Sequence, residues 1–192
     1  MAHVLILYAT QEGQTRSIAE FIGDILKDEG HTAEVDSVDT PKTLGSFDAV
    51  MIGASIHIGH YPQSLRDFIK KHIKRLNAMP SAFFSVCLTA SKTDEEHRAL
   101  AQNYLDGLFN ESDWKPDLST SFAGALKFTQ YGFFKTQLMK AIAKREHLQV
   151  DSKHDYSYTS WEKVMRFAMK FVQLLKKPAA PSQAEAKLNA SL

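Results

Sequence analysis

Ser81 to Leu88 reads SAFFSVCL, an apolar run interrupted only by the hydroxyls of Ser81 and Ser85. It is too short for a helix and lacks the in-out alternation of a half-exposed strand. A segment of this kind is a strand covered on both faces, which places it in the middle of a parallel sheet. A parallel sheet needs crossover connections, so the rest of the chain must supply helices between strands.

It does. His3 to Ala9 predicts a first strand, and Ile18, Ala19, Phe21, Ile22, Ile25 and Leu26 follow at helical spacing up to Gly30. Thr32 to Val38 predicts a second strand and Ala49 to Ile52 a third that ends at Gly53. Pro62 and Ser64 open a helix with Leu65, Phe68, Ile69, Ile73 and Leu76 on one face, closed by Pro80. Asp94 to Leu108 predicts another, with Leu100, Ala101, Tyr104, Leu105 and Leu108 inward. SFAGAL, Ser121 to Leu126, predicts the fifth strand; Trp161, Val164, Met165, Ala168, Phe171, Val172 and Leu175 stripe the last helix. Alternation of this length specifies an α/β, doubly wound sheet.

Two segments break the pattern. Residues 127–159 form a long insert after the fifth strand, and residues 177–192, rich in Pro, Ala and Ser, are expected to be a disordered tail to a domain spanning 1–176. At 192 residues and 44% hydrophobic content the chain fits one domain. A net charge of +1 gives no overall field for nucleic acid. One cysteine, Cys87, excludes an internal disulfide; with no basic-then-apolar signal before the first strand, no secretory leader is expected, and no apolar run approaches the ~20 residues of a spanning helix. A cytoplasmic location is expected.

In such a sheet ligands sit beyond the carboxyl ends of the strands. Three loops occupy that edge: Thr10 to Thr15, Ala54 to Tyr61, and Thr89 to Thr93. The first, T-x-x-G-x-T, offers helix N-terminal amides and the hydroxyls of Thr10 and Thr15 to a phosphate; a capped, solvated turn is the competing explanation. There is no Lys of a nucleoside-triphosphate loop and no G-x-G-x-x-G, which disfavours ATP hydrolysis and dinucleotide binding. A receiver domain needs acids where this chain has Ala9 and Gly53. His57 and His60 lie three apart without a third metal ligand nearby, so no metal is expected, and Cys87 between Val86 and Leu88 reads as a buried small hydrophobe.

The stretches ILYATQEGQTRSIA, VMIGASIHIGHYPQSLRDFIKKHIKRLNAMPSAFFSVCL and FAGAL resemble the flavodoxins and, more narrowly, the flavodoxin-like, menaquinone-dependent protoporphyrinogen IX dehydrogenases. The resemblance runs from about His3 to Leu175. It implies a five-stranded parallel sheet of order 2-1-3-4-5 and FMN as cofactor. Thr10, Gln11, Glu12, Gly13, Gln14 and Thr15 would surround its phosphate, and Ala54, Ser55, Ile56, His57 and Gly59 would flank one side of its ring. Thr89, Ala90 and Ser91 would flank the other. Glu12 departs from the hydroxyl common there, and an acid beside a phosphate weakens binding unless it points to solvent.

The implied reaction takes protoporphyrinogen IX to protoporphyrin IX, with electrons passed to menaquinone or ubiquinone. His57, Tyr61 and Lys127 are candidates to orient the substrate. A flavodoxin-type electron carrier and an NAD(P)H:quinone reductase are the rival expectations. Residues 127–147 hold Lys127, Lys135, Lys140, Lys144 and Arg145 against Glu146, interleaved with aromatic and aliphatic side chains; Phe134, Leu138, Ala141 and Ile142 cluster on a helical wheel. A basic amphipathic segment suits an anionic membrane surface, here the inner face of the cell membrane. A lid on the sheet or a homo-oligomer interface would carry the same residues. No nucleic-acid partner is expected.

Overall fold

The computed structural model describes residues 1–40, 43–130, 133–145, 150–151 and 153–176. The expected tail, 177–192, lies outside them. Five strands, β1 (His3–Ala9), β2 (Thr32–Ser37), β3 (Ala49–Ser55), β4 (Ser81–Cys87) and β5 (Leu118–Ala123), form one parallel sheet in the order β2-β1-β3-β4-β5. Helices α1 (Gln14–Asp28), α2 (Gln63–Leu76), α3 (Glu95–Ser112) and α5 (Trp161–Lys176) cover it.

Successive side chains of a strand point to opposite faces, and the core divides accordingly. Leu5, Leu7, Val50, Ile52 and Phe83 pack with Leu65 and Ile69 of α2 and Leu105 and Leu108 of α3. Val4, Ile6, Met51 and Phe84 pack with Ile18 and Ile22 of α1 and Val164 and Phe171 of α5. All seven residues of β4 are buried, as the SAFFSVCL run requires. Trp114 closes the first core edge-on to Phe83, with ring centroids 5.7 Å apart, and its indole N–H donates to Ser81 Oγ at 3.3 Å.

Gly53 does not end β3. The strand continues through Ala54 to Ser55, and Ala54 is fully buried in it. Gly53 sits there because the Phe84 ring of the neighbouring strand lies across it: a Cβ would come within 2.0 Å of that ring.

The expected fifth strand, Ser121 to Leu126, is two strands. Gly124 breaks it: its N–H still donates to Cys87 O, but its carbonyl accepts from Tyr158 N–H. The chain then leaves the sheet as β6 (Ala125–Lys127), paired antiparallel with β7 (Asp155–Ser157). Between them lies α4 (Phe133–Arg145). Leu126, Phe128, Met139 and Ala143 form a small separate core under this insert. Ala141, placed by the wheel on the apolar face, is exposed, and the helix buries Met139 and Ala143 instead. The side chains of Phe134, Leu138 and Ile142, and residues 146–149, lie outside the described ones.

Trp161 and Met165 also depart from the expected stripe: they are 41% and 46% exposed. Trp161 meets Phe21 of α1 edge-on, with ring centroids 5.0 Å apart.

Candidate functional site

The carboxyl ends of β1, β3 and β4 open onto one cavity of about 710 Å³, and the three sequence-nominated loops line it. At one end is the β1–α1 turn. Gly13 adopts the left-handed conformation, φ 83°, directly before α1. Its N–H donates to Thr10 Oγ1 at 3.0 Å, and its carbonyl accepts the Ser17 N–H. The amides of Gln14, Thr15 and Arg16 therefore have no intrahelical partner, the arrangement that gathers anions at a helix start.

Thr15 Oγ1 is fully buried and makes no hydrogen bond to any of the described residues. A buried hydroxyl without a partner loses its hydration for nothing unless a ligand meets it. No acid occupies the first turn of α1, and the Arg16 guanidinium turns away to Glu20 at 2.8 Å. None of the described residues lining the cavity is Lys or Arg. Any anion here is held by backbone amides, hydroxyls and the helix dipole.

Glu12 lines the cavity and is half-buried, so it does not simply point to solvent. Gln14 reaches out of the turn: its Nε2 donates to Thr159 Oγ1 at 2.9 Å, and Thr159 donates on to Ala123 O at 2.7 Å.

The second wall is the end of β3 and the turn after it. Ile56 N–H donates to Val86 O, extending the ladder one residue beyond Ser55. His57 and His60 then exchange N–H···O bonds at 2.9 and 3.0 Å across a two-residue turn. Its central residues, Ile58 and Gly59, have φ of 49° and 80°. Ser55, Ile56, His57, Ile58 and Gly59 line the cavity.

The third wall leaves β4 as a short 3-10 turn over Leu88–Ser91. Thr89 lines the cavity; Ser91 Oγ does not, and is one of several further buried hydroxyl oxygens without a partner among the described residues. Asp94 then caps α3 by accepting the His97 N–H at 3.1 Å, and the hydrogen bonds from His97 hold its carboxyl below the usual range.

Of the nominated residues, Thr10, Gln11, Glu12, Gln14, Thr15, Ser55, Ile56, His57, Gly59 and Thr89 line the cavity. Gly13, Ala54, Ala90 and Ser91 do not; Gly13 shapes the turn and Ala54 belongs to the sheet core. Tyr61 is not at the crevice mouth. It is 7% exposed and packs edge-on to Phe83 at 5.6 Å, and burial pushes its phenol well above the ordinary value. The Lys127 side chain lies outside the described residues.

Sequence inspection missed the apolar part of the wall: Leu88, Leu100, Tyr104 and Met139. Leu100 and Tyr104 look like core positions on α3, and Met139 comes from the insert. Only the tertiary fold sets them beside the loops. Among the described residues no three His, Cys, Asp or Glu side chains converge to hold a metal, and no helix is long and apolar enough to cross a membrane.

A family model described as a flavodoxin domain matches residues 5–153. The chain is 39% identical over 177 residues to the protoporphyrinogen IX dehydrogenase (quinone) of Escherichia coli strain K12, across 91% of this chain and 97% of that protein. It is 39% identical over 174 residues to the protein of the same name from Leishmania major, across 88% of this chain and 74% of the relative. Among solved structures, oxidised Flavodoxin 1 from Bacillus cereus superposes with a TM-score of 0.53 at 18% identity, across 89% of this chain and 97% of that one, a likeness of fold.

Proposed function

The chain belongs to the flavodoxin-domain family, and from that premise we propose that it is an FMN-dependent protoporphyrinogen IX dehydrogenase that passes electrons to a quinone. One observation carries the reading: a single cavity joins the amides and hydroxyls of the β1–α1 turn, with no Lys or Arg among its described lining residues, to the apolar side chains of Leu88, Leu100 and Met139. The residues fit the cofactor. The free amides of Gln14 and Thr15 and the orphaned Thr15 hydroxyl suit its phosphate, and the walls formed by Ser55, Ile56, His57 and Gly59 on one side and Leu88 and Thr89 on the other suit a flat ring between them.

FMN, when bound, supplies the two-electron acceptor through which hydrogen leaves the substrate and electrons go on to the quinone. This chain's own residues bind and orient. Thr10 fixes the turn by accepting the Gly13 amide, so the Gln14 to Arg16 amides stay aimed at one point. Leu88, Leu100, Tyr104 and Met139 give the cavity an apolar surface for the substrate's ring. His57, on the wall, takes the orienting role at the substrate's polar edge, which buried Tyr61 does not.

The insert supplies the membrane contact. Helix α4 keeps Lys144 exposed and Lys140 half-exposed while Met139 and Ala143 anchor it to Leu126 and Phe128. An anionic surface on the inner face of the cell membrane draws such cations by about 1 kcal/mol each.

The reading is tested by anaerobic mixing of protoporphyrinogen IX with the FMN-loaded full chain. Flavin absorbance bleaches, porphyrin fluorescence appears, and menaquinone restores the oxidised spectrum. A flavin that keeps its absorbance overturns the dehydrogenase.

A further inference from the structure

We infer that Ile58 is a specificity-determining residue for the reaction proposed above: its side chain meets the apolar face of the tetrapyrrole rather than the cofactor. Among the described residues only Ile58 and Asp113 are non-glycine residues with positive φ. Asp113 closes α3 as a C-cap, a position where a short polar side chain tolerates the left-handed region. Ile58 is β-branched, for which that region is strained.

The turn also offers Ile58 no compensation. Its side chain is 74% exposed, so it gains little from burial in the free protein. The reciprocal bonds between His57 and His60 hold the two-residue turn, and relaxing Ile58 to negative φ would break it. Asn or Gly would fit this position without strain. A residue unfavourable on both counts is explained by a contact formed only on binding.

Its location says which contact. Ile58 lines the cavity and is open to solvent, whereas the neighbouring Ile56 and His57 are half-buried in the wall. It stands at the entrance between two histidines and a glycine, one apolar group on a polar rim. A macrocycle with an apolar face and carboxylates at one edge matches that pattern; Thr15, at the phosphate cradle, is fully buried, whereas Ile58 is open to solvent.

The test uses the full-length, FMN-loaded protein with Ile58→Asn, Ile58→Gly and Ile58→Leu. Protoporphyrin IX binding is read by fluorescence, FMN affinity by flavin fluorescence quenching, and ligand-free stability by thermal unfolding. In Ile58→Asn the ligand-free Tm rises by about 2–4 °C as strain is relieved. Its porphyrin Kd weakens about tenfold, the order expected when half the burial of an Ile side chain is lost, and FMN affinity stays within about twofold. Ile58→Leu keeps porphyrin affinity, and Ile58→Gly follows Ile58→Asn in binding.

Equal loss of FMN and porphyrin affinity makes Ile58 a cofactor contact and overturns the inference. Unchanged porphyrin affinity overturns it too, as does a loss confined to binding of anionic phospholipid vesicles. If the wild-type protein neither binds protoporphyrin IX nor is bleached by protoporphyrinogen IX, the parent reading falls with it. Tight wild-type binding that Ile58→Asn leaves intact sinks this inference alone.

Discussion

Gln14 and Thr159 are 145 residues apart in sequence, and a 2.9 Å hydrogen bond joins their side chains. Thr159 passes the link to the carbonyl of Ala123, where β5 ends. The turn that opens α1 is thereby tied to the far edge of the sheet and to the segment that opens α5. Replacing Thr159 by Ala leaves Gln14 and Ala123 each short of a partner and lowers unfolding free energy by about 1–3 kcal/mol. Urea denaturation of the two single variants and the Gln14→Ala, Thr159→Ala double variant measures it; the double variant loses less than the sum of the singles.

Thr15→Val keeps the shape of a buried side chain and deletes its unpartnered hydroxyl. The ligand-free protein is as stable as the wild type or more so, because no internal bond is lost. FMN affinity weakens by about tenfold, corresponding to one hydrogen bond to a charged oxygen at about 1.5 kcal/mol. Opposite responses in thermal unfolding and flavin titration are the expected pair of results.

Gly53→Ala puts a methyl group where the Phe84 ring already lies, 2.0 Å from its nearest atom. Overpacking of this kind costs about 1–3 kcal/mol or more. Phe84→Leu is destabilising by itself in this core, but combined with Gly53→Ala it loses less than the sum. Denaturant midpoints of the two singles and the double decide it.

His31 is buried, and its Nδ1 accepts the Ala2 N–H at 3.2 Å, so the native ring is neutral at that nitrogen. Burial, then the chain's amino terminus and Lys176, lower its pKa from 6.5. The unfolded chain takes up the proton first as pH falls through 6.5, so native stability declines below that pH and is fully present above it. Tm measured from pH 8 to pH 5 falls more steeply in the wild type than in His31→Gln.

Lys140→Glu combined with Lys144→Glu reverses two charges on α4 without touching Met139 or Ala143, which anchor the helix. Sedimentation with anionic phospholipid vesicles is lost at physiological salt, and FMN affinity is unchanged. Retention on the vesicles by the variant removes α4 as the membrane contact.

The sheet and its helices were legible because burial on both faces leaves a continuous apolar run, as in Ser81 to Cys87, and one-sided burial leaves helical stripes. The β1–α1 turn was legible as part of the cavity wall because its small and hydroxyl residues stand between the first strand and the first helix, at the carboxyl edge of the sheet. What escaped was set by neighbours distant in sequence. Gly53 looks like a strand terminus until Phe84 is seen lying across it, and SFAGAL looks like one strand until Tyr158 binds the Gly124 carbonyl. Tyr61, four residues beyond His57, looks like part of the mouth, but Phe83 draws it into the core.

Local chemistry and periodicity, written residue by residue, determined the parallel sheet, the placement of its loops on one edge and the small, hydroxyl-bearing make-up of the first. The tertiary structure alone decided which apolar side chains of α3 and the insert complete the cavity, and that Ile58 stands strained at its entrance. The reason is physical: a side chain's burial and a turn's backbone angles follow from what packs around them, and those neighbours come from the other end of the chain.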